Sequence, residues 1–177
     1  MSRIGAHTVL LESRPYILAS AALGGCKETE GPLGGCFDIQ LDDDKFGESS
    51  WEKAESKMQK ETIHKLLQKA QLAPSDVQYI FAGDLLNQCI SSSFGLRDFG
   101  IPFFGLYGAC STMAEGLSLA SMIVEGGFAT RCIALTSSHF ASAERQFRFP
   151  MEYGGQRTPS AQWTVTGCGA VVVTSEN

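Results

Sequence analysis

Apolar residues fall along the chain in short blocks that switch between two periods. Tyr16 to Leu23 (YILASAAL) is mostly apolar, closes on Gly24-Gly25 and reads as a buried strand; the shorter run Thr8-Val9-Leu10-Leu11 offers a strand just before it. Between 50 and 70 the spacing becomes helical. Trp51, Ala54, Met58, Leu66 and Ala70 recur on one line, with Ile63 and Leu67 beside it, a stripe that reads as core packing. Ser49, with Glu52 three residues on, offers a capping box at its start. Pro74-Ser75-Asp76 is a turn and Val77 to Ala82 the next strand, followed by a short helix over 88–98 with Gly100 at its carboxyl cap. Pro102 to Leu106 is a third strand, and a helix over 111–125 ends at Gly126-Gly127. Ile133 to Thr136 is a fourth strand and Trp163 to Thr174 a fifth, bulged near Gly167 and Gly169.

Strands alternating with helices predict an α/β fold: a five-stranded, mostly parallel sheet covered by helices on both faces. The last strand is expected to run antiparallel, because no helix separates it from the fourth. A length of 177 residues suits a single domain over 1–177 with its own core. Residues 24–50 are the least regular stretch, and a connection this long points to function or interaction. Its acidic run Asp42-Asp43-Asp44 reads as a solvated loop.

Composition narrows the function classes. With 44% hydrophobic and 19% charged residues, general disorder is excluded. A net charge of −5 without a basic tract argues against a nucleic-acid partner. The richest apolar run, Leu117 to Val124, is too short to cross a bilayer, and Met1 to Ser20 mixes Arg3, His7, Glu12, Arg14 and Pro15, so neither a membrane span nor a secretory leader is expected. The six cysteines, at 26, 36, 89, 110, 132 and 168, form no CxxC pair and have only His7, His64 and His139 for company. No metal site is expected, and free thiols in a reducing, cytoplasmic-type compartment are the better reading.

Candidate chemistry gathers where the strands end, since open α/β sheets bind ligands at the carboxyl ends of their strands. Gly108-Ala109-Cys110-Ser111-Thr112 places a cysteine between a strand and a helix start, the geometry of a nucleophile elbow. Helix-end amides there would lower the thiol pKa and hold an oxyanion or a carboxylate. The alternative is an inert buried thiol. Asp84 and Asn87 follow the second strand and His139 the fourth; helix capping and a structural histidine are their plainer roles. In Ala143 to Pro150 (AERQFRFP), Arg145 and Arg148 alternate with Phe147 and Phe149. They suit either a forked clamp on a carboxylate beside a stacked ring, or surface ion pairs with Glu144 or Glu152.

The segment GACST, opening an apolar helix, resembles the nucleophile segment of the thiolase and ketoacyl synthase superfamily. More narrowly, KETEGPLG (27–34), AGDLLNQ (82–88), GACST (108–112), TSSH (136–139), AERQFR (143–148), EYGGQ (152–156) and WTVTG (163–167) together resemble the stage V sporulation protein AD family of spore-forming bacteria. That resemblance implies a thiolase-like amino-terminal half-domain whose second half is absent from this chain. It implies a sporulation protein that binds dipicolinic acid (pyridine-2,6-dicarboxylate), with calcium as an optional companion, and supports its uptake into the developing spore. No resident cofactor is implied. Membrane-embedded proteins of the same complex at the inner forespore membrane are the expected partners, with a homo-oligomer expected too; the face meant for the missing half is expected to be left exposed or to be covered by self-association. Cys110 falls on the superfamily's nucleophile position, but the catalytic histidines belong to the second half, so complete catalysis is not expected of this chain. Acyl transfer through a Cys110 thioester is the rival reading. The expected ligand set is Asp84, Asn87, Cys110, Ser111, His139, Arg145 and Arg148, with Phe, Tyr107 or Trp163 stacking on the ring.

Overall fold

The computed structural model describes residues 2–147, 160, 162 and 164–175. In chain order the elements are β1 (Ser2–Ile4), β2 (Thr8–Leu10), β3 (Tyr16–Gly24), α1 (Cys26–Thr29), β4 (Ile39–Gln40), α2 (Trp51–Ala70) and β5 (Tyr79–Gly83). They continue with α3 (Ile90–Leu96), β6 (Phe103–Gly105), α4 (Thr112–Glu125), β7 (Arg131–Ser138), α5 (Phe140–Phe147) and β8 (Gly167–Thr174). The main sheet runs β4-β3-β8-β7-β5-β6. Strands β7, β5 and β6 are mutually parallel, and β3 is parallel to β4. The last strand, β8, inserts antiparallel between β3 and β7 and pairs with both along its length.

This is the predicted α/β class with an antiparallel last strand, enlarged by the two-residue β4 inside the 24–50 connection. Thr8–Leu10 does not join the main sheet; it forms a separate antiparallel ladder with Ser2–Ile4. The irregularity expected near Gly167 and Gly169 falls on the neighbouring strand instead, where the register shifts between Ile17 and Ala19. Trp163 lies outside the described residues.

Helices cover both faces because β7 and β5 are apolar on both. On one face α2 packs Met58, Ile63 and Leu66 against Ile80, Ile133, Leu135 and Val172. On the other, Ala120 and Val124 of α4 meet Phe81, Cys132 and Val173. Ile133 and Cys132 point to opposite sides, as the two-residue period of a strand demands. Each fully buried Leu, Ile or Met contributes roughly 1.5–3 kcal/mol, so these two layers carry much of the stability.

Helix α2 begins one residue later than the capping-box pattern implies. Ser50 is its cap and accepts a hydrogen bond from Lys53 N–H at 3.3 Å. Glu52 therefore closes no box, and its carboxylate pairs with Arg145. Gln71, left-handed at φ 56°, ends the helix.

One glycine sets the spacing at the sheet's carboxyl rim. A Cβ on Gly83 would lie 2.0 Å from the Leu106 carbonyl oxygen and 2.9 Å from Thr112 Cγ2, so only glycine lets the chain leaving β6 cross the end of β5. A Gly83→Ala protein is expected to lose about 1–3 kcal/mol of stability, because backbone must move to admit the methyl group. Urea unfolding measures it; an unchanged midpoint contradicts this packing.

Candidate functional site

Because β5, β6 and β7 are parallel, Gly83, Gly105 and Ser138 end at one rim of the sheet. After β6 the chain passes through Leu106 to Gly108, makes a 3-10 turn over Ala109–Ser111, and enters α4 at Thr112. Ala109 sits at φ 50°, a left-handed conformation that costs a non-glycine residue about 1–3 kcal/mol and persists only where the surroundings enforce it. The next residue is Cys110, which this turn leaves exposed as a free thiol. Ser111 donates to the Gly108 carbonyl through both N–H (3.0 Å) and hydroxyl (2.8 Å), and Thr112 N–H donates to Ala109. Two of the helix-start amides are thus engaged inside the turn.

Cys110 faces a hollow of about 580 Å³. Ala109, Cys110 and Met113 form one wall, and Thr136, Ser137 and Ser138 of β7 another. Ala22, Gly167 and Gly169 contribute to its lining from β3 and β8 with little or no side chain, Leu23 and Cys168 come from the same two strands, and Phe37 and Leu85 complete it with Thr164 and Val165. None of the described lining residues is charged.

Of the expected ligand set, Cys110 alone is among the described lining of this hollow. Ser111 stands next to it, exposed. His139 is 1% exposed and uses both ring nitrogens: Nε2 lies 2.6 Å from the Asp44 carbonyl and Nδ1 accepts from Ala141 N–H at 3.2 Å. That pattern fixes the tautomer with the proton on Nε2 and ties the acidic loop to the start of α5. Asp84, also 1% exposed, accepts from Leu86 N–H (2.9 Å) and from Ser92 through both N–H (2.8 Å) and hydroxyl (2.6 Å). Asn87 is exposed, and its N–H donates to Gln146 Oε1 at 3.2 Å. Arg145, on α5, pairs with Glu52 and lies over the Trp51 ring at 5.1 Å, so α5 is bound to the start of α2. Arg148 lies outside the described residues. Among those residues, no group of three or more His, Cys, Asp or Glu is placed to hold a metal ion.

Behind the β7 wall lies a buried polar cluster that the hydrophobic pattern did not reveal. Glu55 is 0% exposed; its carboxylate accepts from the hydroxyls of Ser137 (2.8 Å) and Ser142 (3.2 Å). Gln59 Nε2 donates to Ser137 Oγ (2.7 Å) and Ser92 Oγ (3.0 Å), which links Glu55 to Asp84. Burial pushes the Glu55 carboxyl up to about 7, the Asp84 charge pushes the same way, and the Ser137 and Ser142 hydroxyls oppose it. The available signal was spacing: Glu55 and Gln59 sit one turn apart, beside Met58 on the buried face.

A family model described as Stage V sporulation protein AD matches residues 5–177. The chain is 44% identical over 173 residues to stage V sporulation protein AD of Bacillus subtilis (strain 168), covering 98% of this chain and 51% of that protein. Among solved structures, it resembles OleA of Xanthomonas campestris (TM-score 0.60, 13% identity, 90% of this chain and 56% of that one). It also resembles 3-oxoacyl-[acyl-carrier-protein] synthase III of Aquifex aeolicus VF5 (TM-score 0.58, 15% identity, 90% and 53%). At these identities the structures share the fold alone. The chain spans about half the length of the relatives it matches.

Thiol exposure divides the cysteines sharply. Burial holds the Cys132 and Cys168 thiols up at about 12, whereas Cys110 and Cys36 are exposed. Brief iodoacetamide treatment followed by peptide mass mapping is expected to modify Cys110 and Cys36 and to leave Cys132 and Cys168 intact. An unmodified Cys110 contradicts its placement at the mouth of the hollow.

Proposed function

The chain belongs to the stage V sporulation protein AD family, and on that premise we propose that it binds dipicolinic acid and supports its loading into the developing spore. The observation that carries the reading is the hollow beside Cys110. Its volume suits a single small planar ligand, and Thr136, Ser137, Ser138 and Thr164 are hydroxyl-bearing residues in a lining otherwise small or apolar. Phe37 supplies an aromatic ring to the same lining. A dianion in a lining without described charges needs compensation, because an unpaired buried charge is costly. Calcium chelated by the ligand, or Arg148, would provide it.

Acyl transfer through Cys110 is the second reading, favoured by the exposed thiol on a strained turn and by the synthase fold. Against it, thioester chemistry needs a base within reach of the thiol. His139 is outside the described lining and has both nitrogens engaged. Binding is therefore the better-supported function. The proposed setting is the inner forespore membrane, with membrane-embedded partners and a second copy of the chain. No helix among the described residues is long and apolar enough to cross a membrane, but Ile4, Val9, Leu10, Ile17 and Leu18 are exposed apolar side chains suited to a protein interface.

Calorimetric titration of the protein with dipicolinate, with and without calcium, tests this. Saturable one-to-one binding is expected, tighter with calcium, and at least about tenfold weaker for pyridine-2-carboxylate, which lacks one charge-assisted carboxylate contact. Cys110→Ala is expected to bind almost as the parent does. No heat with dipicolinate, together with a thioester mass adduct on Cys110 from an acyl donor, establishes the second reading instead.

A further inference from the structure

The Cys110 hollow and the buried carboxyl cluster share a wall. Ser137 lines the hollow and is also the hydrogen-bond donor to Glu55 Oε1, at 2.8 Å. Cys168 lines the hollow too and packs in the core layer beneath α2. Glu55 therefore stands directly behind a strand that a ligand in the hollow would touch.

Three features of the cluster bear on its protonation. Glu55 is wholly buried, and the groups that hold its oxygens, Ser137 and Ser142, are neutral hydroxyls; no cation pairs with it among the described residues. A second buried carboxylate, Asp84, is joined to it through Ser92, Gln59 and Ser137. The cluster also has a surplus acceptor, since Gln59 Oε1 is buried without a hydrogen-bond partner, one helical turn from Glu55. Two linked carboxylates and an orphaned acceptor, set against the one unpartnered Ser91 hydroxyl beside Glu55, leave this compartment short of protons. The other ionisable groups on the surrounding elements do not fill that lack. Arg145 on α5 is paired with Glu52, His139 with Asp44 and Ala141, and the Cys168 thiol on β8 is held neutral by burial.

We infer that anion binding in the Cys110 hollow is coupled to proton uptake by Glu55, so that the buried carboxyl acts as a proton-linked regulator of the site. This rests on the binding function proposed above and specifies how the site responds to pH. A negative ligand on one side of β7 disfavours a carboxylate on the other, and the low-dielectric strand between them screens little. By linkage the effect is reciprocal: a neutral Glu55 favours the anion, and an ionised one repels it. Because the carboxyl titrates near neutrality, modest acidification strengthens binding and alkalinisation releases the ligand.

Dipicolinate calorimetry in buffers of different ionisation enthalpy, from about pH 6 to about pH 8, counts the protons taken up. The expected result is a fractional uptake near pH 7 in the parent protein, and affinity falling by up to about tenfold per pH unit above the Glu55 midpoint. Glu55→Gln is expected to bind with no uptake and no such slope. Equal uptake and slope in parent and variant overturn the coupling. A ligand-free arm keeps it separate from the binding proposal: the infrared C=O band of a protonated carboxyl is expected to titrate near neutrality in the parent, to vanish in Glu55→Gln, and to move to higher pH in Ser142→Ala, which loses a donor to the charged form. Absence of that band overturns the inference even if dipicolinate binds. A titrating band without any binding overturns the proposed function and the coupling with it.

Stability gives an independent sign. The folded carboxyl is raised above its unfolded value, so its contribution is fully present below the unfolded pKa and is lost as pH climbs through about 7. Unfolding free energy is expected to decline over that window in the parent and to decline less in Glu55→Gln.

Discussion

The fold turns on β8, the strand that enters the middle of the sheet against the direction of both neighbours. Its pairing with β3 joins the first long strand of the chain to β7, and hence to the parallel set β7, β5 and β6. Without it the sheet would fall into two groups, β4 with β3 and β7 with β5 and β6. The antiparallel direction also has a local consequence. The amino end of β8, where Gly167 and Gly169 lie, meets the carboxyl ends of β3 and β7. Three strand ends with small residues between them leave a concavity, and the turn after β6 places Cys110 at its side.

Two kinds of tension surround that concavity. One is steric: Gly83 lies so close to Leu106 that any side chain would collide, and Ala109 takes a backbone conformation suited to glycine. Such positions persist only where neighbouring packing enforces them, which here means the α4 layer on the sheet. The other is electrostatic. Glu55 and Asp84 are enclosed with hydroxyl and amide partners rather than cations, so the cluster stays responsive to pH where an ion pair would be locked. A hollow whose described lining is uncharged, backed by an ionisable wall, makes protonation part of ligand recognition. Its affinity for an anion is set by protonation as well as by shape.

Much of the scaffold was legible because it follows periodicity. The stripe Trp51, Ala54, Met58 predicts α2 almost to the residue, and the apolar block at Tyr16 predicts β3. The position of Cys110 was legible because Gly108-Ala109-Cys110 lies between a strand end and a helix start, although its exposure was not. The rest depends on partners distant in sequence. Helix α5 went unread because the partners of Arg145 are distant: the sequence offered a ligand clamp or ion pairs with nearby Glu144 or Glu152, whereas the guanidinium binds Glu52 and covers Trp51 across 93 and 94 residues of chain. His139 offers a base by residue type, yet the 42–44 loop folds back and engages Nε2. Glu55 was invisible for a related reason. A glutamate beside a core stripe reads as solvent-facing until α3, β7 and α5 close over it.

If the ligand occupies the hollow at Cys110, it must shield that thiol from alkylation. Alkylation rates at Cys110 and Cys36 are compared by mass spectrometry with and without saturating dipicolinate. Dipicolinate is expected to slow modification of Cys110 severalfold and to leave Cys36 unaffected, since a ligand in the hollow covers one sulfur and not the other. Calorimetrically demonstrated binding that leaves both rates unchanged would place the ligand outside the hollow.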